Sequence, residues 1–217
     1  MEKVKIAEIY KILSQTYPIF IENENDWSGN GLDSTPFKSL ISVMLSTMTN
    51  SKRVVRACVA LFAEISTPEE LLKLDDDYLK ELIKPVAHYN RKTKHLKEMC
   101  KQLLERHDGQ VPGNREDLLA LTGVGLKCAD IMMNFTFGGD SIAIDTHVHR
   151  VLNRTGMVET KTAEETSVKV TNITPLEYRK HAHEWLIQHG MQICVARTPK
   201  CSECSILGLC EFKSKIC

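Results

Sequence analysis

A lysine two residues beyond a Gly-x-Gly turn is the first place in this chain where chemistry could be done. The stretch reads Leu121-Thr122-Gly123-Val124-Gly125-Leu126-Lys127-Cys128-Ala129-Asp130. Asn114 is a suitable N-cap for a short helix running to Leu121, with Asp117 completing a weak variant of the capping box. Thr122-Gly123 ends that helix, and a second starts near Gly125 and continues towards Phe135. Such a hairpin exposes backbone N–H groups at the positive end of a helix dipole, where a phosphate fits. Glycine also lets a sugar-phosphate backbone approach closely. Lys127 falls in the first turn of the second helix, where the dipole disfavours an ammonium, and a neutral lysine amine is a nucleophile. The spacing alone favours a phosphate contact or a solvated surface charge at Lys127 over a nucleophile.

The second candidate is a run of thiols, Cys194-x6-Cys201-x2-Cys204-x5-Cys210. A four-cysteine zinc site usually arises from two close pairs of ligands. Here only Cys201 and Cys204 form such a pair, and the longer gaps suit a larger object, such as a [4Fe–4S] cube held by four thiolates. Zinc and free thiols stay open as alternatives. Cys58, Cys100 and Cys128 fall at helical positions and read as small core residues. Cys217 is terminal and reads as incidental. His181, His183 and His189 lack the partners of a second metal site, and His147 and His149 read as helix-surface or DNA-facing residues.

The elements that must position these groups are all helical. Apolar spacing predicts a helix from Val4 to Tyr17. A polar segment follows from Pro18 to Leu32, and Thr35-Pro36 opens a buried helix through Leu45. Ser46 to Ser51 is a polar break with an exposed methionine, Met48, before a helix through Phe62. Thr67 to Glu70 is a capping box. A short helix from Asp76 ends before Pro85, and 86–90 is a turn. A basic helix runs from Arg91 to Arg106, with Leu96, Met99, Cys100, Leu103 and Leu104 inward. Asp145 starts a helix that Gly156 stops. Thr162 with Glu165, and Thr174 with Glu177, open two more, the last C-capped by Gly190. No convincing strand and no internal repeat is present.

The 217 residues carry 28 basic and 28 acidic side chains, so the net charge is zero. A generally basic nucleic-acid binder is excluded, but a basic face is not. Lys84, Arg91, Lys92, Lys94, Lys97, Lys101 and Arg106 cluster, while acidic residues gather at Glu22 to Asp26 and at Asp75 to Asp77. No apolar stretch approaches a membrane span of about 20 residues. Met1 to Lys5 lacks the apolar core of a signal peptide. A soluble, cytoplasmic protein is expected, with metal rather than disulfides at the cysteine run.

Taken together, Leu121 to Lys127, Ile144-Asp145-Thr146-His147-Val148-His149-Arg150 and the C-terminal cysteine pattern resemble the endonuclease III family. Its members are helix-hairpin-helix DNA glycosylases with AP-lyase activity. The resemblance covers nearly the whole chain. It implies a six-helix barrel over 29–139, with the hairpin at about 114–135, and a second all-α domain from 1–28 and 140–217 that holds a [4Fe–4S] cluster. Cys194, Cys201, Cys204 and Cys210 would be the ligands. It implies a nucleoid-associated monomer that binds double-stranded DNA containing damaged bases or abasic sites and removes oxidised pyrimidines, flipping the base out because the sugar is shielded in a stacked duplex.

Lys127 matches the family's nucleophilic lysine and Asp145 its catalytic aspartate. Gly123, Val124, Gly125, Arg91, Lys92, Arg197 and Lys200 would face DNA. Met48 and His88 stand where relatives place a gap-filling glutamine and a leucine wedge. Leu126 and Met191 replace residues often basic, and Ser51 replaces a common acidic one. These departures suggest an altered opposite-base preference or lesion range. A related glycosylase of another specificity and a non-catalytic DNA-binding protein are the alternative readings.

Overall fold

Helix starts are the most strongly specified features of this chain, and most of the expected ones form. The computed structural model describes residues 1–17 and 27–214; the acidic run 22–26, most of the polar segment after Tyr17, and Cys217 lie outside them. The described chain is all-α, with no strand among the described residues. The helices are α1 (Lys3–Thr16), α2 (Pro36–Ser46), α3 (Ser51–Glu64), α4 (Pro68–Lys73), α5 (Asp76–Ile83), α6 (Tyr89–His107), α7 (Arg115–Ala120), α8 (Leu126–Ile131), α9 (Thr146–Thr155), α10 (Ala163–Ile173) and α11 (Leu176–Gln192). A π-helical turn, Met132–Thr136, extends α8. Two short 3-10 turns lie in the C-terminal loop.

The chain divides into two compact units, Met1–Ile21 with Gly139–Cys217, and Glu22–Gly138. In the second unit α2 is the central helix, and eight of its eleven residues are buried. The same core takes in Val54, Cys58 and Leu61 of α3, Leu79 and Ile83 of α5, Leu96, Met99 and Leu103 of α6, and Ala129 of α8. Thr35 caps α2 by accepting from the Lys38 amide, and Thr67 with Glu70 forms a full capping box on α4. In the first unit, α1 buries Ile6, Ile9, Tyr10 and Leu13 among Val148, Val151 and Leu152 of α9 and Leu186 of α11. Ile142 to Ile144, too short to assign from sequence, is a buried run outside any helix.

Two expected boundaries differ. Thr174 does not cap α11; Pro175 precedes that helix with no side-chain cap. The Thr174 hydroxyl instead donates to Val170 O at 2.7 Å and pairs with the Tyr10 hydroxyl at 3.0 Å. Nor does Gly190 stop α11, which continues to Gln192. Gly190 serves close packing instead: a Cβ there would lie 3.0 Å from the His147 Cβ.

Candidate functional site

The hairpin is built as the sequence predicts, and three side chains fasten it. Asn114 caps α7 by accepting from the Asp117 amide at 2.9 Å. Gln102 of α6 grips Thr122 at two points: its Oε1 accepts from the Thr122 amide at 2.7 Å and its Nε2 donates to Thr122 Oγ1 at 3.0 Å. Arg115 of α7 donates to the buried carboxylate of Asp130 on α8 at 2.8 Å. Gly123 has φ +86°, and a Cβ on it would lie 2.9 Å from both the His95 Cβ and the Met44 Cε. Glycine is therefore required at 123 by backbone and by space. A Cβ on Gly125 would meet nothing within 4 Å, so its side of the turn is open.

Lys127 stands half-buried in the first turn of α8. Val124 differs from expectation. Its side chain is buried in the apolar core and its amide donates back to Leu121 O at 3.1 Å, so this residue is part of the turn's scaffold rather than its outer face. Sequence reasoning missed Gln102. The signal was a glutamine on a helix face otherwise filled by Met99, Cys100 and Leu103, since a buried amide needs partners.

Next to the hairpin, Met44, Leu45, Thr47, Met48, His88, Arg91, Lys92, His95, Leu96 and Gly123 line a recess. It gathers five of the expected site residues. Met48 and His88 both adopt left-handed backbone, with φ +56° and +57°. Such a conformation costs a non-glycine residue on the order of 1 kcal/mol and persists only where the surroundings impose it. Met48 is 78% exposed.

Two lysines of the basic cluster, Lys92 and Lys97, are structural. Lys92, expected to face DNA, is only 8% exposed. Its ammonium donates to Leu45 O and Thr47 O, each at 2.7 Å, where α2 runs out of intrahelical partners. Burial, with Arg91 beside it, pushes Lys92 down to about 8. Lys97 ends α4 in the same way, through Leu72 O at 3.0 Å and Leu74 O. Lys84 pairs with Glu81 and Lys101 with Glu98. Arg91, Lys94 and Arg106 are exposed, as are the paired Lys84 and Lys101.

In the other unit Asp145 is the N-cap of α9. Its Oδ1 accepts the amides of His147 and Val148, both at 2.9 Å, which fixes the carboxylate at a helix start. The far half of α9 holds the C-terminal loop. Arg150 donates to Gly190 O at 2.7 Å and Cys194 O at 2.9 Å. Arg154 donates to Val195 O at 2.7 Å and Ala196 O at 2.6 Å, approaches Cys194 Sγ at 3.7 Å, and lies 4.9 Å from the Phe212 ring centre. His147 contacts Arg150, and His149 contacts Thr166 at 2.8 Å. His181 pairs with Glu184, and His183 with Ala143 O. Cys58, Cys100 and Cys128 are buried, and burial pushes each thiol up to about 12.

Cys194, Cys201, Cys204 and Cys210 all line one recess, whose wall also includes Arg154, His189, Ile193, Ile206 and Phe212. None of the four is in a disulfide. No three His, Cys, Asp or Glu groups among the described residues converge on a point as ligands of a single ion. Four thiols lining one recess supply the four thiolates that a [4Fe–4S] cluster takes. Burial pushes His189 down to about 4, leaving a neutral ring that contacts Cys204 Sγ at 3.8 Å and the Tyr17 hydroxyl at 3.0 Å. Arg197 and Lys200 are exposed within the loop.

Residues 41–175 match the HhH-GPD superfamily of base excision DNA repair proteins, and residues 194–210 match the iron-sulfur binding domain of endonuclease III. Over 183 residues the chain is 42% identical to endonuclease III of Haemophilus influenzae and 40% identical to that of Escherichia coli, in each case covering 84% of this chain and 87% of the relative. Among solved structures it is similar to a non-covalent endonuclease III–DNA complex, with 27% identity, a TM-score of 0.82, and coverage of 97% of this chain and 96% of the other. A trapped endonuclease III–DNA covalent intermediate matches with the same values.

Proposed function

The chain belongs to the endonuclease III family of HhH-GPD base-excision repair proteins, and from that premise we propose that Lys127 is its nucleophile and Asp145 its catalytic carboxylate. The protein is a DNA glycosylase with AP-lyase activity towards oxidised pyrimidines, and its cofactor is a [4Fe–4S] cluster. The observation that carries the assignment is the place of Lys127, in the first turn of a helix whose preceding Gly-x-Gly turn is fastened at Thr122, Gly123 and Asp130.

The reaction follows from the amine. Lys127 Nζ attacks the anomeric carbon of a flipped nucleotide; the N–C bond forms as the glycosidic bond breaks and the base leaves with a proton. Ring opening gives an imine between lysine and sugar. The imine acidifies the 2′ proton, and its removal expels the 3′ phosphate, cutting the strand. Asp145, held at a helix start, supplies a fixed carboxylate that can stabilise the positive charge developing at the sugar or take up protons. Cys194, Cys201, Cys204 and Cys210 would hold the cluster, which when bound cross-links the loop through four thiolate bonds.

Gly123, Gly125, Arg91, Arg197 and Lys200 support a DNA-facing role, and Met48 and His88 a role at the opened base pair. The reading takes the protein as a monomer acting on the cell's DNA in the cytoplasm. Its domains would be the barrel at 29–139 and the cluster domain of 1–28 with 140–217. Among the described residues no helix is long and apolar enough to cross a membrane.

The test is a duplex with one oxidised pyrimidine, scored separately for released base and for strand breaks. Release with a β-elimination end is expected, and Asp145→Asn should slow it by about 10²-fold or more. Release without a nick would mean a monofunctional glycosylase. Binding without either would mean a non-catalytic DNA-binding protein.

A further inference from the structure

Met48 and His88 lie 40 positions apart in sequence, yet the same few atoms hold both. On one side, the Lys92 ammonium binds the carbonyls of Leu45 and Thr47, the residue just before Met48. On the other, the Lys92 amide donates to His88 O at 3.0 Å. Thr49, just after Met48, closes the circuit. Its Oγ1 accepts from the amide of Ala87, the residue before His88, at 3.0 Å, and lies 3.4 Å from Lys92 Nζ. Both loop residues are in left-handed backbone, which needs such over-determination to persist. The three N–H groups of a lysine ammonium are matched by three oxygen acceptors, so the side chain is fully used within the protein.

We propose that Lys92 and Thr49 are positioning residues that hold Met48 and His88 as one paired probe, so that opening of a base pair depends on an ammonium that does not touch DNA. The proposal rests on the glycosylase reading above and adds to it how the probe is set. A wedge pays for unstacking only if it enters the duplex in a fixed conformation, and small displacements of a positioning group change rates strongly. Lys97 supplies a built-in comparison. It is on the same helix and ends α4 with the same carbonyl chemistry, but it holds neither loop.

The experiment uses the full chain with its cluster and four proteins: wild type, Lys92→Met, Thr49→Val and Lys97→Met. Base-pair opening is followed by stopped-flow fluorescence of 2-aminopurine placed opposite the lesion. The chemical step is followed in parallel as borohydride trapping on an abasic site in single-stranded DNA, which needs no opening. Lys92→Met and Thr49→Val should slow the fluorescence step by about tenfold or more while trapping stays within about twofold of wild type. Lys97→Met should leave opening within about twofold.

Opening at the wild-type rate in Thr49→Val, or a loss in Lys97→Met equal to that in Lys92→Met, would overturn the proposal. If Lys92→Met fails to fold by circular dichroism, Thr49→Val against Lys97→Met still decides. Absence in wild type of trapping on abasic DNA, single-stranded and duplex alike, together with no base release from the lesion duplex, would instead overturn the glycosylase reading, so the two failures are distinguishable.

Discussion

The hairpin turn and the cysteine loop are both irregular segments that hold chemistry, but they are kept in place by different physics. The turn at Thr122 to Gly125 sits on an apolar core through Val124 and is fastened by one neutral amide, one ion pair and a glycine that admits His95. Every one of these interactions is internal to the protein. The loop from Cys194 to Cys210 rests on its own unit's core through Ile206, with Cys194, Cys204 and Leu209 packed against it. Two arginines of α9 hold its carbonyls, and its four sulfurs face a cavity. A segment built that way is completed by what fills the cavity, whereas the turn is complete by itself. The lysine proposed as nucleophile is thus carried by a self-sufficient element, and the cluster would stabilise a separate one.

Removing a cluster ligand should give the largest structural effect. Cys201→Ser is expected to abolish absorbance near ~400 nm and to lower the thermal midpoint by on the order of 10 °C, several kcal/mol for a chain of this size. An unchanged midpoint would mean the loop holds itself, and the contrast between the two segments would fail.

Gly123→Ala tests the other side. Its left-handed φ and the contacts with His95 and Met44 should cost about 2 kcal/mol in denaturant unfolding, with cluster absorbance retained. Loss of the cluster in this variant would contradict the independence of the two segments.

Met48→Gln touches neither support. It should leave stability within about 0.5 kcal/mol and change the relative excision rates against the four opposite bases, because an amide can hydrogen-bond an orphaned base and a thioether cannot. An unchanged profile would remove Met48 from opposite-base selection.

The fold was legible in the sequence wherever local chemistry sets the backbone. Thr35, Thr67, Asn114 and Asp145 each cap the helix that the sequence assigned to them. The four cysteines were found by spacing and do line one cavity. What could not be read depended on contacts distant in sequence. Lys92 and Lys97 read as a basic surface, because nothing local marks a lysine whose ammonium ends a helix 45 or 23 positions away. Gly190 read as a C-cap because glycine is also the residue that close helix packing needs, and the partner, His147, is remote. Thr174 matched a cap pattern whose hydroxyl is taken by Tyr10 and Val170. The left-handed backbone of Met48 has no sequence signal, and the modest enrichment of histidine in that region is too weak to single out His88.

The most direct test of the central claim is covalent capture. The protein is incubated with a duplex carrying one oxidised pyrimidine, borohydride is added, and protein–DNA adducts are resolved by mass. A single adduct that maps to Lys127 and disappears in Lys127→Ala, with the variant still folded and still carrying its cluster, is the expected result. An adduct that persists in Lys127→Ala, or that maps to another amine, would contradict the assignment of the nucleophile.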